Sequence, residues 1–280
     1  MLSVTRYSIK NVRLKPWVKF IWYFETKSNI LLNNKLLPTD SIDIILNLSD
    51  VMEYKIENQD YTASNMHFNG IRDKHGFIIQ HGNIRVIGIS FYPFGLYPFL
   101  KIPISEFNRQ IVDLEVVSQL FAKKLEESLS PTQSVEKIVL YLEEVLLSIL
   151  EEVLLSILEE DLISNKYVKL LNSFIYVNRY SNIKAFCDDT NINIKTLERI
   201  CLKYTGYTPK ILKRIYRFKM ASNQLIYNYK DDELFDFIYE NEYYDQAHFI
   251  KEFKKFSGTS PIKFIGENKT IKENIKYSYL

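Results

Sequence analysis

Seventeen residues of the C-terminal region recur in degenerate form 52 positions further on, and this repeat constrains the fold more than any other feature of the chain. Asn193 to Pro209 aligns without gaps to Asp245 to Pro261. Asn193 and Asp245 are residue types that cap helix N-termini, because a short side-chain oxygen can accept from the orphan backbone N–H groups of the first turn. Leu197/Phe249, Cys201/Phe253 and Tyr204/Phe256 follow at spacings of four and then three, which places them on one buried stripe. Gly206 and Gly258 are helix stops, each followed three residues later by a proline, Pro209 or Pro261. Each copy is therefore one helix with both ends marked. Upstream of each stands a shorter apolar-periodic segment, Asn182 to Cys187 and Leu234 to Tyr239. Helix, short turn, capped helix is the helix-turn-helix pattern, present here twice.

In such a unit the second helix enters the major groove of double-stranded DNA and its N-terminal residues reach base edges. The outward positions there are Lys195, Thr196 and Arg199 in the first copy and Gln246, His248 and Lys251 in the second. Arg and Lys can donate to guanine O6 and N7, Gln can pair with adenine through two hydrogen bonds, and Thr and His adapt to several edges, so these six are the expected base readers. Lys203, Lys254 and Lys255 lie further along the helices, and Lys210, Lys213 and Arg214 follow the first stop; these suit phosphates. The competing reading is a pair of solvated helix faces. Two features weigh against it: both copies are basic on the same face, and the charge is uneven along the chain. Residues 1–165 carry 16 Lys and Arg against 21 Asp and Glu, whereas 166–280 carry 20 against 13. A basic segment on an otherwise acidic chain favours a polyanionic partner.

The region from about Lys166 to Ile265 resembles the AraC/XylS DNA-binding domain across its full length. The most specific stretch is Tyr243-Tyr244-Asp245-Gln246-Ala247-His248-Phe249-Ile250-Lys251-Glu252-Phe253-Lys254-Lys255-Phe256, followed by Gly258-Thr259-Ser260-Pro261. The resemblance implies seven helices, with two helix-turn-helix subdomains joined by a long helix at about Pro209 to Tyr227. It further implies insertion of the two reading helices into successive major-groove segments, and a transcription regulator, by family habit an activator, that works with RNA polymerase. One departure is Glu242, where the family usually has glycine just before the aromatic of the second turn. A side chain there must hold a turn that favours glycine, which would place the second unit less firmly.

The N-terminal part reads differently. Val18 to Tyr23, Ile42 to Leu48, Phe77 to Ile79 and Ile84 to Phe91 are β-branched and aromatic runs. Asn33-Asn34, Asn69-Gly70, His75-Gly76 and His81-Gly82-Asn83 supply turn chemistry between them. Leu37 to Leu48 and Gly88 to Leu100 are similar to an uncharacterised β-rich, cupin-like domain found ahead of AraC-type modules. That likeness implies a barrel whose mouth could admit a small-molecule effector. After Pro103 helical spacing takes over, with Leu114, Val117, Leu120, Phe121 and Leu125. Residues 143–150, Glu-Glu-Val-Leu-Leu-Ser-Ile-Leu, then recur unchanged as 151–158, a tandem duplication read as a connector or dimerisation helix, with a plain packing helix as the alternative.

The expected architecture is α+β: a β-rich barrel or sandwich with trailing helices, then an all-α domain with two helix-turn-helix subdomains joined by a linker helix. Its divisions are a sensor or oligomerisation domain at 1–110, a helical connector at 111–164, the DNA-binding domain at 165–266 and a tail at 267–280. The β-rich domain would sense an effector or form a homodimer; a ligand-free structural role is the alternative. An enzyme is the third reading, because His67, His75 and His81 fall in the β-rich part. No His-x-His pair occurs and two of the three precede glycine as turn residues would, so no metal, cofactor or catalytic residue is expected. Cys187 and Cys201 are the only cysteines and read as small core residues. No apolar run is long enough for a membrane span and Met1 to Lys10 lacks a signal-peptide stretch, which points to the cytoplasm and the nucleoid.

Overall fold

The computed structural model describes residues 2–57, 59–129, 134–155, 166–177, 182–227 and 243–279. Its N-terminal part is built from strands β1 (Leu2–Ser8), β2 (Val18–Glu25), β3 (Ile30–Leu36), β4 (Ile42–Asn47), β5 (Met52–Ile56), β6 (Gln59–Ala63), β7 (Met66–Asn69), β8 (Gly76–Gly82), β9 (Arg85–Phe91) and β10 (Ile111–Asp113). A further strand, β11 (Ile275–Tyr279), returns from the C-terminus and pairs in parallel with β1. Two sheets result, ordered β10-β7-β4-β9-β2-β1-β11 and β3-β8-β5-β6, antiparallel throughout except at that one pair.

The strands alternate faces, and the alternation decides what each face buries. Ile45 and Val86 of the larger sheet and Leu32, Met52, Tyr54 and Ile56 of the smaller one fill the space between the sheets, with Phe24 and Ile84. Ile42, Ile44, Leu46, Ile87, Ile89 and Phe91 project from the opposite face of the larger sheet into a second cluster. Both faces of β4 and β9 are thus covered, which explains their near-continuous apolar runs. The expected turn at Asn33-Asn34 is a correction: both residues lie inside β3, where they pair with Ile79 and Ile78 of β8. Turn-forming asparagines yield there to the ladder, which satisfies the backbone groups of this edge strand that face β8.

The helices begin with α1 (Tyr97–Leu100), α2 (Leu114–Val117) and α3 (Gln119–Glu127), then α4 (Val135–Leu155). Ser118 divides the helical spacing of 114–125 into two pieces, ending α2 and capping α3 through its hydroxyl. The first copy of the duplicated octapeptide lies on α4, and its Leu146, Ile149 and Leu150 are buried with Ile138, Val139 and Leu142. Glu143 of the same copy is buried too and accepts from the backbone N–H groups of Lys10 (3.1 Å) and Asn11 (2.9 Å). This copy packs within the chain; residues 156–158 of the second copy lie outside the described residues.

Residues 166–172 are helical and lead into a π turn at Ser173–Val177. Then follow α5 (Ile183–Thr190), α6 (Ile194–Thr205), α7 (Pro209–Tyr227), α8 (Gln246–Ser257) and α9 (Pro261–Asn274). The cluster that begins on the sheet continues without a break through Phe121, Phe174, Phe186, Tyr204 and Phe218 to Phe253 and Phe264. No helix among the described residues is long and apolar enough to cross a membrane.

Candidate nucleic-acid interface

The first helix-turn-helix is α5 and α6. Asn182 caps α5 by accepting from Ala185 N–H at 2.7 Å, and the helix ends at Asn191 in the left-handed region (φ 51°). Ile192 N–H donates to Cys187 O at 2.9 Å, closing the last turn. Two residues later Asn193 caps α6 by accepting from Lys195 N–H at 2.8 Å. Phe186 and Cys187 of α5 are buried with Leu197, Ile200, Cys201 and Tyr204 of α6. Both cysteines are free and buried, and burial pushes the Cys201 thiol up, out of reach of ionisation.

In the second unit Asp245 caps α8 by accepting from His248 N–H at 2.7 Å. Phe249, Phe253 and Phe256 form the buried stripe, and Phe218 of α7 packs against Phe253 (ring centroids 5.1 Å apart) and Phe256 (5.2 Å). The helix preceding α8, expected at Leu234 to Tyr239, and Glu242 lie outside the described residues. Removing the cap by Asp245→Ala should cost about 1 kcal/mol, read as a lower urea midpoint at unchanged m-value.

Both reading helices stop where the spacing expects. Gly206 and Gly258 each adopt φ 78°, a conformation a side chain strains to hold. Both stops also touch the N-terminal domain. Asn108 donates from Nδ2 to Gly206 O, and a Cβ on Gly258 would collide with the ring of His75. Tyr97 of α1 packs on Tyr204 at 4.5 Å, and the Tyr207 hydroxyl lies 3.1 Å from Ile71 O and 3.3 Å from Asp73 Oδ1. The C-terminal ends of α6 and α8 are thus docked on the sheet domain. At their N-terminal ends Lys195, Arg199, Gln246, His248 and Lys251 are exposed and Thr196 is half-buried.

The residues expected on phosphates divide into two groups. Lys210, Lys254 and Lys255 are exposed. Lys203 instead sits over the Tyr97 ring (5.0 Å) and Tyr204 (5.8 Å), at the contact with the sheet domain. Lys213 lies over Phe174 at 5.0 Å. Arg214 donates from Nε to Glu252 Oε2 at 2.7 Å and stacks over Phe256. Its Glu252 partner is 5% exposed and also accepts from Arg217 Nη2 at 2.8 Å, so α7 and α8 are joined by a buried carboxylate between two guanidiniums. Tyr244 is missing from the expected set: it is 87% exposed and immediately precedes the Asp245 cap.

A second ionic cluster crosses from sheet to helix. Asp40, 4% exposed in the β3–β4 connection, lies 3.1 Å from Lys19 Nζ and 2.6 Å from Lys219 Nζ of α7, and its other oxygen accepts from Tyr176 at 3.0 Å. Burial pushes the Asp40 carboxyl up, but the two ammonium groups outweigh it and hold the carboxyl well below the usual range. Burial pushes the Lys19 ammonium down to about 8, with Asp40 opposing.

The three histidines do not converge. His67 is buried in β7; its Nδ1 lies 2.7 Å from Ser64 O and its Nε2 2.8 Å from the Tyr54 hydroxyl, and burial pushes it down to about 4. His75 abuts Gly258, whereas His81 is exposed near the end of β8. Among the described residues no group of three or more His, Cys, Asp or Glu is placed to hold a metal.

Residues 186–266 match the family described as a helix-turn-helix domain, and residues 11–113 match a domain of unknown function, DUF6597. No curated protein matches the chain. Among solved structures, ToxT from Vibrio cholerae is 12% identical, with 86% of this chain and 98% of that chain covered at a TM-score of 0.43. A ToxT structure from Vibrio cholerae O395 bound to (E)-4-(8-methylnaphthalen-1-yl)but-3-enoic acid is 11% identical, with 86% and 99% covered at 0.46. The AraC-like transcriptional activator CuxR is 13% identical, with 75% and 79% covered at 0.31. The chain thus carries an AraC-type helix-turn-helix domain at residues 186–266, behind a DUF6597 domain at residues 11–113.

Proposed function

We propose that the chain is a sequence-specific activator that reads two adjacent major-groove segments, one with the start of α6 and one with the start of α8. The observation that carries this reading is the common orientation of the two helices: each docks its C-terminal end on the sheet domain and exposes its basic N-terminal end. Lys195, Thr196, Arg199, Gln246, His248 and Lys251 are the base readers; Lys210, Lys254 and Lys255 hold phosphates. We assign Arg214 to the Glu252 clamp instead, because its Nε is already committed there.

Selection from a random-duplex library at two salt concentrations tests the reading. Two short blocks about one helical turn apart are expected; enrichment of nothing, with binding that vanishes as salt rises, would reduce the domain to a generic polyanion surface. On the selected site Arg199→Ala and His248→Ala should each weaken specific binding by about 1–3 kcal/mol, whereas Lys254→Ala should weaken all sequences alike. Equal losses on specific and random DNA for all three variants would refute the base-reading assignment.

The N-terminal domain is the sensor in this proposal. The contacts at Gly206, Tyr207 and Gly258 support it, since any change in the sheet domain reaches the ends of both reading helices directly.

A further inference from the structure

Arg72, in the connection after β7, is 7% exposed. Its Nε and Nη1 are shut off from solvent with no acceptor. Two guanidinium nitrogens buried without an acceptor carry a large desolvation cost, so such a group demands a partner. The groups whose charge bears on it are Tyr54, Asp43 and Tyr207. Asp43 does not neutralise it by contact: that carboxylate accepts from Ser90 and, at 3.4 Å, from Ser41.

Asn69, three residues before Arg72, has the complementary vacancy. Its Nδ2 donates to the Tyr54 hydroxyl at 3.2 Å, while its buried Oδ1 receives nothing. The chain of bonds is otherwise closed. His67 is held neutral by burial, so with Nδ1–H donating to Ser64 O its Nε2 accepts from Tyr54, which in turn accepts from Asn69. One strand end and its connection therefore present unused donors and an unused acceptor, both cut off from water.

We propose that Arg72 and Asn69 form the effector site of the sensor domain and bind a small hydroxylated oxyanion, the anion on the Arg72 guanidinium and the hydroxyl on Asn69 Oδ1. The proposal rests on the sensor reading above and deepens it. The ligand is small because side chains fill the space between the two sheets. Its binding is felt at the DNA-binding domain because Ile71 and Asp73, the neighbours of Arg72, are the residues that face the Tyr207 hydroxyl, and Asp73 is itself held by Arg109 through a pair of bonds (2.8 and 2.6 Å). Tyr207 lies between the stop of α6 and the start of α7.

The test is calorimetric titration of the full-length protein, without DNA, using lactate, propionate, glycerol 3-phosphate and propyl phosphate at matched ionic strength, alongside the Arg Nε–H region of its NMR spectrum. Saturable binding of lactate or glycerol 3-phosphate is expected, tighter than that of its unhydroxylated counterpart, with one buried Arg Nε–H resonance shifted. Lactate responding would mark a carboxylate effector, glycerol 3-phosphate a phosphate ester. Arg72→Gln should weaken binding at least tenfold and abolish that resonance, and Tyr54→Phe, which keeps the ring, should weaken it several-fold. No saturable binding by any of the four, or binding unchanged in Arg72→Gln, would overturn the proposal and leave Arg72 with buried water. Because the readout needs no DNA, a failed library selection with intact anion binding would sink only the base-reading assignment.

Discussion

Glu252→Ala should lower the unfolding free energy by about 3–5 kcal/mol, the range for removing one partner from a buried ionic group. Glu252 is nearly fully buried and is the acceptor between Arg214 and Arg217. Without it two guanidiniums of α7 face each other across the packed contact with α8, and repulsion adds to the lost bonds. Glu252→Gln keeps the volume and one good acceptor and should cost less, which separates the charge from the packing. The aligned position in the first unit is Ile200, a plain core residue, so Ile200→Val should cost only about 1 kcal/mol. Urea unfolding of the three variants checks the order. A Glu252→Ala effect below about 1 kcal/mol would mean that the clamp contributes little in solution.

Asp40→Asn should be the second large effect, about 3 kcal/mol or more, since it leaves the Lys19 and Lys219 ammonium groups side by side with only a neutral amide between them. The pH dependence has a defined sign. The folded-state carboxyl is depressed below its ordinary value of 3.8, so its stabilisation is present above about pH 4 and is lost as pH falls below that value. The wild-type chain should therefore lose stability in acid more steeply than Asp40→Asn, with the two curves converging. Parallel curves from pH 6 to pH 2 would show that Asp40 is not ion-paired in solution. Because Asp40 joins the β3–β4 connection to α7, the same variant should loosen the sheet domain from the linker helix, visible as faster hydrogen exchange along α7.

The two capped helices were legible because every signal that defines them is local: a cap, a stripe at spacing three and four, and a glycine stop lie within seventeen residues. Exposure of five of the six reader positions, all but the half-buried Thr196, followed from the same spacing, since residues off the buried stripe face outward. The contacts that hold Lys203 and Arg214 were not legible, for the opposite reason. The ring that holds Lys203 belongs to Tyr97, more than a hundred residues earlier, and the carboxylate that holds Arg214 is on the next reading helix. The strands β5 and β7 went unread: β5 alternates over only five residues and β7 has four, too few for a period of two to stand out beside Gly and Asn signals.

By itself, then, the sequence determined the two reading helices, their ends and their outward faces, because capping, periodicity and backbone preference act over a few residues and survive without knowledge of neighbours. Only the tertiary structure decided which cations remain exposed and which are tied to Glu252 or Asp40, and which polar groups are left without partners at Arg72 and Asn69. It also decided that the sheet domain grips the stops of both reading helices. Each of these depends on which distant side chains share a desolvated space, and in such a space a charge must find its counterpart or carry the cost.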